Sequence, residues 1–306
     1  MSKFAALDLG LVVAGHGRHS IVETPEGQRI MCHPRGKGRG KSGDCVVGDR
    51  VRWQPSGDEG VIEHVEPRRN LLFRQDEWKT KSFAANLDQI MVLVAGEPVF
   101  SESQLARALI AAESADIAAR IVLNKADLPV IAAARERLKP YVAMGIEVVE
   151  LALKTQQDEA RATLAPLLDG KATLVLGPSG TGKSTLINLL APEAKAQVGE
   201  ISQALNSGRH TTTFTQWYWI DGSQRRSALI DSPGFQEFGL QQIEAADLAR
   251  WLPDVAEHAA HCRFTNCTHR SEPDCAVRAA AERGEVAARR LSLYEQLYEE
   301  LSQPRY

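Results

Sequence analysis

The sequence predicts a multidomain α/β protein: an N-terminal OB-like β-barrel, a central α/β domain, and a C-terminal helical domain built around a Cys/His cluster. Three observations carry this. Short apolar runs divided by glycine-rich turns occupy residues 1–74, and apolar strands alternate with helical stretches over 75–240. Three of the five cysteines then crowd between 262 and 275, inside a helical segment spanning 241–306. The 306 residues are 43% hydrophobic and 25% charged, an ordinary globular balance with length for two or three domains.

In the first segment the candidate strands are Leu11–Val13, Ser20–Val22, Arg29–Met31, Asp49–Trp53 and Gly60–Ile62. Closely spaced short strands of this kind close most readily into a small barrel. The formal net charge of -3 gives no whole-chain argument for a polyanionic partner. It hides a basic stretch, however: Arg35, Lys37, Arg39, Lys41, Arg50 and Arg52 face only Asp44 and Asp49. The run PRGKGRGKSGD within it is too rich in glycine and charge to pack, and is expected to be a loop. Trp53 and Phe73 are either base-stacking aromatics or barrel core.

In the second segment Gln89–Ala95 reads as a buried strand, followed by a helix over Ser103–Ser114 with Ser103 as its cap. The strand Arg120–Leu123, a helix after Pro129, the strand Ile146–Val149, another helix and the strand Ala172–Leu176 complete a mostly parallel sheet.

Gly177-Pro178-Ser179-Gly180-Thr181-Gly182-Lys183-Ser184 follows that last strand and runs into the helix-prone stretch STLINLLA, which starts at Ser184 and Thr185. Glycines here let backbone N–H groups turn inward around phosphates, and the helix N-terminus adds partial positive charge. Lys183 is expected on the β- and γ-phosphates and the Ser184 hydroxyl on Mg²⁺. Asp231-Ser-Pro-Gly234 ends the strand Ala228–Ile230, where a phosphate-loop enzyme needs a water-mediated hold on Mg²⁺ and an N–H for the γ-phosphate.

Asn124-Lys125-Ala126-Asp127 ends the strand Ile121–Leu123. The Asp127 carboxylate can accept from guanine's N1–H and exocyclic amine, a donor pair that adenine lacks. Asn124 is expected on the other base edge and the Lys125 stem over the ring. Those residues favour GTP over the ATP of a phosphate-loop ATPase or kinase. They also precede the phosphate loop, the reverse of the usual order, which predicts a circularly permuted P-loop GTPase (CP-type G) domain.

Gly208-Arg-His210-Thr-Thr212-Thr213 lies between the phosphate loop and Asp231, and Thr212 is expected to reach Mg²⁺ when the γ-phosphate is present. Phe235 stands where many GTPases carry a water-orienting glutamine, leaving His210 as the candidate for positioning the water, the alternative being a solvated loop histidine. Cys262, Cys267, His269 and Cys275 offer three thiolates and an imidazole, a closed set for one structural zinc. Ala276–Leu301 reads as one helix whose Arg283, Arg289 and Arg290 form either a partner surface or a solvated face.

With these motifs in this order, the sequence resembles the RsgA (YjeQ) family of small-ribosomal-subunit-dependent GTPases over nearly its whole length. The resemblance implies a cytoplasmic factor that binds the small subunit and its rRNA late in maturation, hydrolyses GTP there and departs. It also implies subunit-stimulated turnover, with the catalytic water assigned to the histidine matching His210. GTP and GDP, the subunit, zinc and Mg²⁺ are the expected ligands, with no membrane and a monomer. The alternative is a GTP-switched RNA-binding protein with a non-ribosomal target. The sequence departs from the family at Val149–Lys154, which holds no serine where a serine-rich guanine-contacting segment is normal, so weaker nucleotide binding is expected. Ala152 there can still offer a backbone N–H to guanine O6.

The start MSKFAALDLG lacks the apolar stretch of a signal peptide, and no run approaches the roughly 18 apolar residues of a spanning helix. Cys32 and Cys45 read as ordinary reduced thiols.

Overall fold

The structure is a computed structural model that describes residues 6–16, 19–35, 45–75, 80–194, 215–232, 240 and 242–303. Five strands, β1 (Asp8–His16), β2 (His19–Glu23), β3 (Arg29–Pro34), β4 (Arg50–Ser56) and β5 (Glu59–Val65), pair in the order β1-β2-β3-β5-β4, and β4 returns to β1. Only β3–β5 is parallel. This is a closed five-stranded barrel of the OB type. Its core is Val12, Val22, Cys32, Val51, Trp53 and Ile62.

Trp53 is 4% exposed and fills the barrel, so it is core and not a base-stacking surface. The indole fits because Gly60 lies against it: a Cβ there would come within 2.8 Å of Trp53 Cε3 and 2.5 Å of Cys32 Sγ. Two of the expected basic residues are neutralised, Arg35 by Glu63 at 2.8 Å and Arg52 by Glu66 at 2.5 Å, while Arg50 is exposed. Lys37, Arg39, Lys41 and Asp44 lie outside the described residues.

The hairpin of β6 (Leu71–Gln75) and β7 (Thr80–Ala85) follows, and Val47 bridges back to Ala84 in it. Residue 74, where the sequence reading ends the barrel, lies within this hairpin.

Strands β8 (Gln89–Ala95), β9 (Ala118–Asn124), β10 (Val148–Leu151), β11 (Ala172–Leu176) and β13 (Ala228–Asp231) pair in parallel as β10-β9-β8-β11-β13. β12 (Gln216–Trp219) adds antiparallel to β13 and meets the barrel through the pair Ala14–Gln216. Every residue of β8 and β11 is buried, as central strands covered on both faces must be. The pleat splits β8 between two cores. Ile90, Val92 and Val94 face α1 (Glu102–Ser114) and α2 (Ile131–Ala143), whereas Met91 and Leu93 face α3 (Gln157–Leu168) and α4 (Lys183–Leu190).

α1 is capped by Ser101, whose hydroxyl accepts from Gln104 N at 3.3 Å, so the cap is two residues earlier than expected. The strand expected at Ile146–Val149 forms two residues later, with Ile146 N closing the turn after α2 onto Tyr141 O.

After a 3-10 segment at Ala245–Trp251 come α5 (Pro253–Ala259), α6 (Ala276–Glu282) and α7 (Ala288–Leu301). The helix expected over Ala276–Leu301 is thus two helices, broken where Gly284 adopts φ +79°. Leu252, Val255, Val277, Leu293 and Leu297 join the same core as α1 and α2.

Two arginines on α7 fasten this packing. Arg290 is 2% exposed, pairs with Asp254 at 2.7 and 2.9 Å and lies over the Tyr141 ring. Arg289 donates to the carbonyls of Glu136 and Arg137. Pro140 has no N–H to return to Glu136 O, so Arg289 satisfies a carbonyl that the proline leaves open. Arg290 is therefore buried and belongs to no solvated face, whereas Arg289 stays exposed while making these bonds. Arg283 is exposed and paired with Glu285.

Candidate nucleotide crevice and metal cluster

The ends of β9 and β11 meet at one edge of the sheet. Asn124, 3% exposed, donates from Nδ2 to the Thr181 carbonyl at 2.8 Å, and its Oδ1 accepts from Leu153 N at 3.1 Å. The 124–127 loop, the phosphate loop and the segment after β10 therefore meet on one side chain. Lys125, at φ +62°, turns its amine to Glu97 O at 2.7 Å. Asp127 is exposed, and its Oδ2 accepts from the Thr155 hydroxyl at 3.0 Å.

The glycines of the phosphate loop follow from this crowding. Gly182, the N-cap of α4, sits at φ +111°, and a Cβ on it would lie 2.2 Å from Asn124 Nδ2. A Cβ on Gly177, at φ +154°, would meet Leu93 O at 2.5 Å. Thr181 is buried and its hydroxyl closes the loop on Pro178 O at 2.8 Å, leaving Ser179, Gly180 and Ser184 exposed. Thr185 is half-buried in the first turn of α4. The first N–H groups of a helix have no partner within it, and here they open onto that exposed loop.

Lys183 folds back to donate to Gly177 O at 2.6 Å and Pro178 O at 3.4 Å. Burial lowers its amine from the ordinary lysine range, and Asp231 partly offsets this. Burial pushes the Asp231 carboxyl up to about 6 against the pull of Lys183, so this strand end holds a carboxylate short of positive charge. That fits a site completed by a cation beside Ser184. Thr212, Gly234, His210 and Phe235 lie outside the described residues.

Thr155, which touches Asp127, is a residue that the sequence reading did not single out. The segment 149–154 holds no serine, and the hydroxyl comes one position later. The signal was chemical: an Asp on an exposed loop needs a donor to fix its plane.

In the C-terminal domain the ligand atoms of Cys262, Cys267, His269 and Cys275 lie within 4.8 Å of one another. Cys262 Sγ is 3.4 Å from His269 Nδ1 and 3.9 Å from Cys275 Sγ, and Cys275 Sγ is 3.5 Å from the same nitrogen. Those separations match the edges of a tetrahedron around a metal with bonds of about 2.0–2.3 Å. The Cys₃His set is a metal-binding cluster, and burial lowers the His269 imidazole from its ordinary range, in the direction of the neutral form that ligation requires, with Glu272 opposing. His269 adopts φ +61°.

Glu272 braces the turn. It accepts from Thr268 N and Oγ1 at 2.8 and 2.5 Å, and from Arg270 N and Ser271 N. Desolvation works against its charge, yet these bonds hold the carboxyl down at about 2. Among the described residues no helix is long and apolar enough to cross a membrane.

Residues 65–241 match the family model described as RsgA GTPase. A protein of Variovorax paradoxus named small ribosomal subunit biogenesis GTPase RsgA is 58% identical over 302 residues, covering 97% of this chain and 93% of its own. One of the same name from Burkholderia pseudomallei is 52% identical over 297 residues, covering 96% of this chain and 92% of its own.

Among solved structures, YjeQ from Thermotoga maritima superimposes with a TM-score of 0.72 at 31% identity, covering 97% of this chain and 99% of that one. YloQ, described as a circularly permuted GTPase, gives 0.70 at 26% identity, covering 100% and 99%. The family model spans more than half of the chain and these relatives match nearly all of it: the chain belongs to the RsgA family of circularly permuted GTPases.

Proposed function

We propose that this GTPase is a late maturation factor of the small ribosomal subunit, binding the subunit's rRNA as a cytoplasmic monomer and hydrolysing GTP when the subunit stimulates it. The observation that carries the nucleotide half is the 2.8 Å contact between Asn124 and the Thr181 carbonyl, which joins a guanine-reading loop to a phosphate-binding loop. The ribosomal half is supported by relatives at 58% and 52% identity whose names carry that role.

In this reading Asp127 accepts from guanine N1–H and the exocyclic amine, with the Lys125 stem against the base. Asn124 acts mainly by fixing the two loops to each other, since both ends of its amide are taken by protein groups. Gly177 to Ser184, with Thr185, wraps the phosphates, and Lys183 exchanges its bonds to Gly177 O and Pro178 O for phosphate oxygens. Ser184 and Thr212 would hold Mg²⁺, with Asp231 through water and Gly234 on the γ-phosphate; the ion would supply charge neutralisation on the phosphates. His210 positions the attacking water.

Cys262, Cys267, His269 and Cys275 hold one structural zinc, the ion that suits three thiolates and an imidazole. Residues 1–74, 75–240 and 241–306 serve as RNA-binding barrel, GTPase domain and zinc-binding domain.

The test is GTP turnover with and without purified small subunits, with ATP as competitor. Stimulation by subunits with no competition from ATP is expected. Turnover that subunits fail to raise across a broad range of salt overturns the ribosomal assignment. In the stimulated assay His210→Ala should slow hydrolysis and leave GTP affinity intact; an unchanged rate removes the histidine from the mechanism.

A further inference from the structure

We propose that Thr155 is a specificity-positioning residue: its hydroxyl sets the plane of the Asp127 carboxylate so that both oxygens meet the guanine edge. The proposal rests on the reading that Asp127 recognises guanine. It concerns a part of the chain where the sequence lacks the expected serine.

Asp127 is exposed, and the torsion that orients a carboxylate plane is broad and nearly free for an untethered aspartate. Guanine needs two acceptors, one for N1–H and one for the amine, so a plane free to rotate reduces discrimination more than it reduces contact. The Thr155 hydroxyl donates to Oδ2 at 3.0 Å. An ionised carboxylate has about four lone-pair positions, so this bond uses one and leaves three for the two donors of the base. It fixes the group without competing for it.

Thr155 is itself held. Its N–H and that of Gln156 both bond to the Ala152 carbonyl, at 3.1 and 2.8 Å, closing a turn that runs directly into α3. A threonine at a helix start is ordinarily spent on capping. Here the N-cap of α3 is Gln156, which makes no side-chain cap bond, and the neighbouring hydroxyl is turned to Asp127 instead.

The rest of the segment supports the same loop through backbone groups. Ala126 N donates to Leu151 O at 3.0 Å, and Leu153 N to Asn124 Oδ1 at 3.1 Å. Residues 151–155 thus grip residues 124–127 at three points, and Thr155 alone among these contacts reaches the carboxylate. The missing serine therefore costs this chain less guanine recognition than its absence suggests, because a hydroxyl arrives from the turn before α3.

The experiment uses the full chain carrying Thr155→Val, Thr155→Ser or Asp127→Asn, with KM and kcat measured for GTP, ITP (which lacks the exocyclic amine) and XTP. Thr155→Val should raise KM for GTP roughly fivefold, the loss of one ordinary hydrogen bond, with the effect on KM and not on kcat. It should also shrink the preference for GTP over ITP, and Thr155→Ser should restore both. A Thr155→Val enzyme whose KM and GTP/ITP preference stay within twofold of the parent overturns the proposal, as does a variant that loses kcat and thermal stability while keeping its preference.

Should Thr155→Val fold poorly, Thr155→Ala, which is smaller at an exposed position, carries the same comparison. Asp127→Asn separates the two levels. A switch from GTP to XTP upholds the role of Asp127 whatever Thr155 does, and unaltered GTP kinetics remove both.

Discussion

Cys262 and Cys275, the outer ligands of the metal cluster, are 13 residues apart and in contact, whereas Asn124 and the Thr181 carbonyl it grips are 57 apart. One site is closed by a single loop and the other by loops from three strand ends. The difference decides what holds each together. The metal cluster takes all four ligands from one turn, which Glu272 braces from within and Tyr294 of α7 supports through Thr268 O. The crevice has no local stiffness of its own and relies on the parallel sheet to bring Asn124, Thr181 and Leu153 to one edge. A local site fails when its ligand is lost; an assembled site fails when one close approach is spoiled.

Metal removal tests the first half and should have the largest effect. Three thiols and an imidazole packed this closely are stabilised together only by a cation, and metal-binding energy in such knuckles is folding energy of several kcal/mol. Chelation, or Cys275→Ser, should unfold the segment around α5 and α6 and expose the seam that Arg290 and Asp254 close. Far-UV circular dichroism with metal analysis checks this: about one zinc per chain is expected in the parent, with helix content lost on its removal. Full helicity and an unchanged melting temperature in the metal-free protein would show that the knuckle stands on packing alone.

Gly182→Ala addresses the assembled site and should have the next largest effect. The added methyl meets two obstacles, the left-handed backbone at φ +111° and the Asn124 amide 2.2 Å away. Each is worth on the order of 1–3 kcal/mol, and the second breaks the link between the loops. Nucleotide affinity should fall by roughly a hundredfold while metal content stays at the parental level. Titration with a fluorescent guanine nucleotide measures the first and metal analysis the second. Equal affinity would mean that the crevice tolerates loss of the Asn124 bridge.

The same contrast explains what could be read from the sequence. The Cys/His cluster, the phosphate-loop motif and the Asn124–Asp127 motif can be picked out of the sequence because each lies within one short stretch whose spacing mirrors its chemistry. The strands β8 and β11 were legible to the residue, since continuous burial leaves a continuous apolar run. What stayed hidden depends on partners far along the chain. Trp53 as barrel core requires Gly60 and Cys32 to be its neighbours. The roles of Arg289 and Arg290 require α2 with its Pro140-opened carbonyl and Asp254 on α5. Thr155 became visible only when the turn at Ala152 brought it to Asp127. The break at Gly284 was available in the sequence, and the helical periodicity on either side outweighed it.

The smallest effect should come at the seam between barrel and GTPase sheet, an assembled contact with no motif at all. Trp219 on β12 donates to Glu23 Oε1 at 2.7 Å across 196 residues of chain, and Glu23, 5% exposed, is also paired with Arg29 at 2.9 Å. Beside it Arg225 donates to Pro25 O and Glu26 O over Gly27, where a Cβ would fall 1.5 Å from the Arg225 guanidinium. Trp219→Phe removes the indole donor and keeps most of the ring, while Arg29 still neutralises the carboxylate. The loss should therefore be about 1 kcal/mol, a fall of roughly 2–4 °C in melting temperature. Glu23→Gln in the same background measures the coupling: if the two changes together cost no more than the larger one alone, the bond is the shared term. Strict additivity would mean that the barrel is held to the sheet by the β1–β12 pairing and the Arg225 contacts, with the indole contributing only its packing.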